Sequence, residues 1–194
     1  MQTSPPAAGG VAPGFMRLTF RVAGKLDFSK YQYLLIFNTS GNGLTPEAGS
    51  NHANWSAYSD AIEVQSSHGT PYAGAVQYLK NSDPRVPPTL KRLQTQPSQF
   101  QFASDAGGTG SEFSVLFDRS IFSLGASPLS KTWLFNAFTV QPSRVVDSMG
   151  RCAGCFHSPA LRIDTAFDRI VDSENSHQVA PDARIVSVEF ANDP

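Results

Sequence analysis

Long hydrophobic runs, cysteine and charge are all scarce in this chain of 194 residues. No apolar stretch approaches the roughly 18 residues that span a bilayer, so the sequence predicts no transmembrane helix. Charged residues make up 16% of the chain, below the roughly 25% of an ordinary globular protein. The net charge is -1, which argues against a nucleic-acid partner because general nucleic-acid-binding proteins carry a basic surface.

The first residues also lack the basic start and the apolar stretch of a secretory signal peptide. Residues 1–13 are instead rich in Pro, Ala and Gly, which predicts a flexible linker followed by a single domain over residues 14–194. The body of the chain is rich in Ser, Asn and Gly and poor in Lys, a composition that resembles exported β-domains. We therefore expect a periplasmic, cell-surface or secreted protein whose signal or lipid anchor was removed, with a cytoplasmic protein as the alternative.

The chain is rich in phenylalanine, with 14 residues, and many of these lie in period-two patterns. Residues 16–22 alternate apolar and polar side chains, which predicts a strand with one face in solvent. Residues 31–37 and 132–140 are apolar on both faces, which predicts central strands. Phenylalanines in 100–102 and 113–117 flank a Gly-rich turn, a pattern that is typical of a β-hairpin.

Further strands are predicted at 61–64, 75–79 and 184–190, which brings the total to about eight. In the last of them Val186, Val188 and Phe190 are expected to share one face. Residues 81–97 are rich in Pro, which cannot donate to a central ladder, so they form an edge or an excursion. Short helical turns are expected after Asp118, which can cap its turn, and around residues 165–171. The predicted fold is all-β: a two-sheet antiparallel β-sandwich of about eight strands with long loops and one or two short helical turns.

Three consecutive segments carry a resemblance to a known family. They are the strand at 111–118, the short turn at 119–124 and the strand at 132–138, which contains Trp-Leu-Phe-Asn. This order resembles a module of the DOMON and family-nine carbohydrate-binding superfamily, and the strand that ends at Phe37-Asn38 is similar to an early strand of those modules. The resemblance implies a β-sandwich that binds sugars or haem, or that serves as an accessory domain.

Residues 38–60 form a long polar loop, and loops of this length in compact domains are often functional. The loop combines aromatic rings, which can stack on a sugar ring, with amides and carboxylates, which can bond its hydroxyls. The predicted ligand-binding residues are Asn54, Trp55, Tyr58 and Asp60. The alternative is that Trp55 and Tyr58 fold back as a lid on the sandwich.

The two cysteines, Cys152 and Cys155, form a C-x-x-C pair that is followed by His157. A local disulfide, or two unreactive thiols, is the favoured interpretation. A zinc site of Cys152, Cys155 and His157 would still need a fourth ligand. A redox pair would need a helix start in a βαβ context, which the pattern does not provide. Covalent haem would require His directly after the second cysteine, where Phe156 stands.

Haem bound without a covalent link would need axial ligands from His or Met. None of the histidines lies on a well-patterned strand, and Met16 fits a strand core; the candidates are His52, His68, His157, His177, Met16 and Met149. We therefore expect no cofactor, with haem and zinc kept as alternatives.

The motifs of α/β-hydrolases, zinc metalloproteases and phosphate-binding loops are absent from the sequence. We expect a non-catalytic, extracytoplasmic binding or accessory domain with a carbohydrate or protein partner. One alternative is a structural subunit of a larger, envelope-associated or membrane-anchored assembly, in which the basic segment 85–92 contacts an acidic partner. A haem-binding electron-transfer domain is the second alternative.

Overall fold

The computed structural model describes residues 11–47, 55–83, 86–104, 110–122, 132–142, 144–149, 160–162, 167–171 and 179–192. Within these residues the chain is built almost entirely from β-strands, with two short 3-10 turns at Trp55–Ala57 and Arg119–Phe122. No helix in the described ranges has the length and the apolar character needed to cross a membrane.

Twelve strands are present in the described part of the chain. They are β1 (Phe15–Val22), β2 (Gln32–Asn38), β3 (Asp60–Ser67), β4 (Thr70–Leu79), β5 (Thr89–Arg92), β6 (Phe100–Ser104), β7 (Glu112–Asp118), β8 (Thr132–Gln141), β9 (Arg144–Ser148), β10 (Ala160–Arg162), β11 (Phe167–Val171) and β12 (Ile185–Asn192). One sheet has five strands in the order β11-β12-β1-β7-β6. The other has seven, in the order β10-β8-β2-β3-β4-β5, with β9 also paired to β8.

All strand pairs are antiparallel, so the predicted two-sheet antiparallel sandwich with short helical turns is confirmed. The eight predicted strands are all present. The additional strands β5, β9, β10 and β11 have three to five residues each. Such short segments do not carry a periodic pattern that is distinct enough to identify a strand, because periodicity needs a longer window.

The core lies between the two sheets and is dominated by aromatic rings. In β1 every second residue is buried, and Phe20 contacts Tyr33 of the opposite sheet at 5.5 Å between ring centroids. Phe135 of β8 and Phe190 of β12 meet edge to face at 4.5 Å. Large rings that interdigitate in this way bury much apolar area and favour edge-to-face geometry, which explains the high phenylalanine content.

Two local predictions near the end of the chain are wrong. The helix expected around residues 165–171 is the strand β11, which pairs with β12 from Phe167 opposite Ala191 to Val171 opposite Ser187. The second wrong prediction is that Val186 shares a face with Val188 and Phe190. In β12 the register shifts opposite Arg21 and Val22. Ile185 is consequently buried while Val186 is only half-buried. An extra residue in one strand shifts the side chains that follow it to the opposite face of the sheet. The position of that extra residue is visible only from the pairing with the neighbouring strand.

The hairpin of β3 and β4 is longer than the sequence predicts. Its turn lies at His68-Gly69, where both residues have positive φ angles of 50° and 81°. Two left-handed central residues are typical of a type I′ turn, which matches the twist of the flanking strands. The tight turn lets β3 and β4 pair along their whole length, from Asp60 opposite Gln77 to Ser67 opposite Thr70.

Candidate functional site

The loop after β2 folds onto the face of the seven-stranded sheet that points away from the other sheet, called here the outer face. A second apolar cluster lies on this face and consists of Ile36, Ala57, Tyr58, Ala61, Val76 and Phe138, with Leu34, Trp55, Tyr78 and Val140 at its margin. The cluster exists because alternate residues of β2, β3, β4 and β8 point outward and are apolar. The loop contributes Ala57 and Tyr58 to this cluster, so it packs against the outer face through these two residues.

Hydrogen bonds from the sheet fasten this loop. The Asn38 amide nitrogen donates to the Leu44 carbonyl at 2.5 Å, and the Asn136 amide nitrogen donates to the Pro46 carbonyl at 2.9 Å. The Tyr58 hydroxyl donates to the carbonyl of Glu47. Burial raises the pKa of Tyr58 to about 12, so its hydroxyl stays neutral and remains a donor at physiological pH.

The predicted ligand residues Trp55 and Tyr58 lie together on the outer face. Their ring centroids are 5.2 Å apart, and Tyr58 in turn contacts Tyr78 of β4 edge to face at 5.4 Å. Tyr58 is only 6% exposed, as expected if it folds back as a lid on the sandwich. Trp55 and Tyr78 are half-buried, so part of each ring reaches solvent.

Asp60 lies on the opposite face of the sheet, away from Trp55 and Tyr58. It stands directly opposite Phe37 of the core, and opposed residues of an antiparallel pair share a face. Its carboxylate accepts a hydrogen bond from the Thr39 hydroxyl at 2.8 Å, and its other oxygen has no partner among the described residues. Burial raises the pKa of Asp60 to about 6, although the nearby hydroxyls of Thr39 and Ser59 and the positive charge of Lys80 lower it. Asn54 lies outside the described residues.

An ion pair on the outer face was not predicted from the sequence. Glu63 of β3 is 7% exposed, and its Oε2 lies 3.4 Å from Nη2 of Arg92 in β5. Arg92 reaches Glu63 across Gly74 of β4, where an added Cβ would lie 3.6 Å from its Nη1. Burial raises the pKa of Glu63, while the positive charge of Arg92 lowers it.

A second polar pair lies beside the first. The Gln65 amide nitrogen donates to the Tyr72 hydroxyl at 2.6 Å, and these two residues are opposite each other in the β3–β4 ladder. Burial raises the pKa of Tyr78, and the charge of nearby Glu63 raises it further. Polar pairs and half-buried rings thus adjoin on one face, and we call the following set the outer-face site: Trp55, Glu63, Gln65, Tyr72, Tyr78 and Arg92.

Two sequence signals point to this site in retrospect. Glu63 interrupts the apolar run of residues 61–64, and a charged residue there needs a partner if its face is covered. Gly74 lies within a strand, a position that often marks the close approach of another group. The partner Arg92 is 29 positions further along the chain, so no local pattern links it to Glu63.

The predicted cofactor ligands are not gathered at the outer-face site. Cys152, Cys155 and His157 lie outside the described residues, as do His52 and His177. His68 is exposed at the β3–β4 turn, whereas Met16 and Met149 are buried in the core. Within the described ranges no cluster of three His, Cys, Asp or Glu side chains is placed to hold a metal ion.

In comparisons with known proteins, no family model matches this chain, and neither a curated protein nor a solved structure matches it. A fold alone does not define a function, because one β-sandwich architecture supports many activities. The chemistry of the outer-face site is therefore the basis on which a function can be proposed.

Proposed function

We propose that this domain is a non-catalytic carbohydrate-binding module that holds its ligand on the outer face of the seven-stranded sheet. The observation that carries this proposal is the meeting, on the outer face, of half-buried rings with the exposed Arg92, which is paired with the buried Glu63. An extracytoplasmic location, which rests on composition, and membership of the DOMON and family-nine carbohydrate-binding superfamily, which rests on residues 111–138, belong to the same proposal.

The two kinds of side chain suit the two kinds of surface on a sugar. The rings of Trp55 and Tyr78 offer flat apolar area to the C–H side of a pyranose, while one edge of each side chain remains polar. Glu63 accepts hydrogen bonds and Arg92 donates them, so together they can bond neighbouring hydroxyls. Arg92 is the more accessible partner, with 63% of its side chain exposed.

The backbone places these groups rigidly. Four of the six residues belong to the β3–β4 hairpin: Glu63, Gln65, Tyr72 and Tyr78. The ladder of this hairpin is continuous from the pair of Asp60 and Gln77 to the pair of Ser67 and Thr70 at the turn. Groups that are already held in position lose little conformational entropy when a ligand binds. A sugar chain lying across the hairpin would therefore meet a preformed surface.

A glycan array is the first test, followed by titration calorimetry with the best glycan. We expect Trp55→Ala and Glu63→Gln each to weaken binding about tenfold, which corresponds to about 1.4 kcal/mol. The reasons are the loss of a stacking surface in the first variant and of a charged hydrogen-bond acceptor in the second.

Glu112→Gln is the matched control. Oε2 of Glu112 lies 2.5 Å from Nη2 of Arg21 on the outward side of the five-stranded sheet. This variant therefore also removes a charge from a surface ion pair, but it leaves the outer-face site intact. Melting temperatures of all three variants separate a local loss of binding from unfolding. The proposal fails if no glycan binds, or if Trp55→Ala and Glu63→Gln bind as tightly as Glu112→Gln.

A further inference from the structure

The strand β5 forms one edge of the seven-stranded sheet. It pairs with β4 from Val76 opposite Arg92 to Leu79 opposite Thr89, and no described strand pairs with its other side. All four of its residues are exposed, and Leu90 is 53% exposed. An edge strand with an uncovered apolar side chain offers unpaired backbone groups to another chain.

The register shows which backbone groups of β5 face away from β4. The Leu93 N–H donates inward to the Ala75 carbonyl at 2.9 Å. Every second residue of an antiparallel strand directs its backbone N–H and C=O toward the same neighbouring strand. The N–H and C=O of Lys91, which is opposite Gln77, therefore also point toward β4. The N–H and C=O groups of Leu90 and Arg92 therefore point outward, where an added strand would meet them.

The charge of this segment differs from the charge of the whole chain. Residues 79–92 contain four basic residues and one acidic residue, whereas the chain as a whole has a net charge of -1. Lys91 lies on one face of β5, and Leu90 and Arg92 lie on the other because side chains alternate along a strand. An incoming strand would thus meet the positive charge of Lys91 on one face, and on the other face Leu90 beside Arg92, whose charge is shared with Glu63.

We propose that the β5 edge binds an extended acidic segment of another protein by strand addition, in which backbone hydrogen bonds supply affinity and side chains supply specificity. A second copy of this chain fits less well, because two β5 strands paired with each other would bring Lys91 and Arg92 close to their own counterparts. Pro87 and Pro88 directly precede the strand and limit the contact to a short segment. This edge adjoins the outer-face site, because Arg92 belongs to both, but an added strand would bind through the backbone of β5.

The test uses the whole chain and a fluorescein-labelled peptide of alternating Glu and Val, with fluorescence anisotropy as the measurement. Leu90→Pro removes the outward N–H but leaves the ladder to β4, since proline is tolerated where its nitrogen faces solvent. Leu90→Ala keeps the N–H and removes more of the side chain than Leu90→Pro does, so weaker binding by Leu90→Pro cannot come from lost side-chain contact. We expect Leu90→Pro to bind about tenfold more weakly than Leu90→Ala, the loss that one hydrogen bond can cause.

Charge is tested separately with Lys91→Glu, and Lys25→Glu is the matched control at an exposed position outside the strands. We expect Lys91→Glu to weaken binding several-fold more than Lys25→Glu, and the difference to shrink in roughly 1 M salt because ions screen surface charges. A peptide of alternating Lys and Val should bind more weakly than the acidic one.

Several results would overturn the proposal: no binding of the acidic peptide to the unmodified chain, equal binding by Leu90→Pro and Leu90→Ala, or equal binding of the acidic and basic peptides. Sedimentation of the free protein supplies one more outcome. A dimer that Leu90→Pro converts to a monomer would assign the edge to a second copy of this chain instead. Lys91→Glu changes a side chain on the face of β5 that points away from the outer-face site, since Lys91 is opposite Gln77. Sugar binding by Lys91→Glu is therefore expected to be unchanged, so this proposal and the carbohydrate proposal fail independently.

Discussion

Replacement of Asp60 by asparagine should make the stability of the domain less dependent on pH. The Asp60 side chain is 2% exposed and accepts one hydrogen bond, from Thr39. Burial raises its pKa from an ordinary value of 3.8 to about 6. Between these two values the folded state holds a proton that the unfolded state has lost, so the free energy of unfolding falls as the pH rises.

The size of the effect follows from the two pKa values. A difference of about two pH units corresponds to about 3 kcal/mol, at 1.36 kcal/mol for each unit. The loss is absent below about pH 3, where both states are protonated, and complete above about pH 7, where both are ionised. Asparagine keeps an oxygen that can accept the hydrogen bond from Thr39 but carries no charge at any pH, so Asp60→Asn should escape this loss.

Urea unfolding at pH 4 and at pH 7 measures the effect, with tryptophan fluorescence as the signal because Trp133 is fully buried. We expect Asp60→Asn to gain about 2 kcal/mol relative to the unmodified chain between pH 4 and pH 7, because the remaining part of the loss occurs below pH 4. Thr39→Val is an informative second variant, since loss of its donor should raise the pKa of Asp60 further and steepen the pH dependence. The reasoning is refuted if the difference between Asp60→Asn and the unmodified chain is the same at both pH values.

Two further predictions concern packing, and urea unfolding checks both. Phe113→Ala should cost about 3–5 kcal/mol because it removes a ring that is buried in the core, whereas Leu90→Ala on the exposed edge should change stability by less than about 0.5 kcal/mol; equal effects would contradict the assigned core. Gly24→Ala should cost about 1–3 kcal/mol because its Cβ would lie 2.8 Å from the backbone of Pro181. Gly74→Ala is the control, since its nearest contact of 3.6 Å is an ordinary one, and an equally large loss in that variant would argue against a steric cause.

Several elements could be predicted from the sequence because their causes are local. The apolar runs at 31–37 and 132–140 lie next to each other in the sheet as β2 and β8, each with a buried row facing the core. The hairpin of β6 and β7 has the expected pairing of phenylalanine-rich strands. Asp118 caps its turn as predicted, since its Oδ1 accepts a hydrogen bond from the backbone N–H of Ser120 at 2.8 Å.

The candidate site was only partly predictable. The loop of residues 38–60 suggested a mixture of rings and polar groups, and Trp55 does lie on the outer face. Asp60 lies on the other face because it is opposite Phe37 in the ladder, and a one-residue change of register would have placed it with Trp55. The position of a side chain on one face or the other depends on strand pairing.

The sequence by itself determined the fold class and the positions of the longer strands, because alternation of apolar side chains is a local property that any strand must show to bury one face. Only the tertiary structure decided that Arg92 crosses Gly74 to reach Glu63, that residues 167–171 extend the sheet as β11, and that β5 remains an edge. Each of these contacts joins residues that are distant in the chain, and the free energy of such a pair depends on how the whole chain closes around it, which no short window of sequence contains.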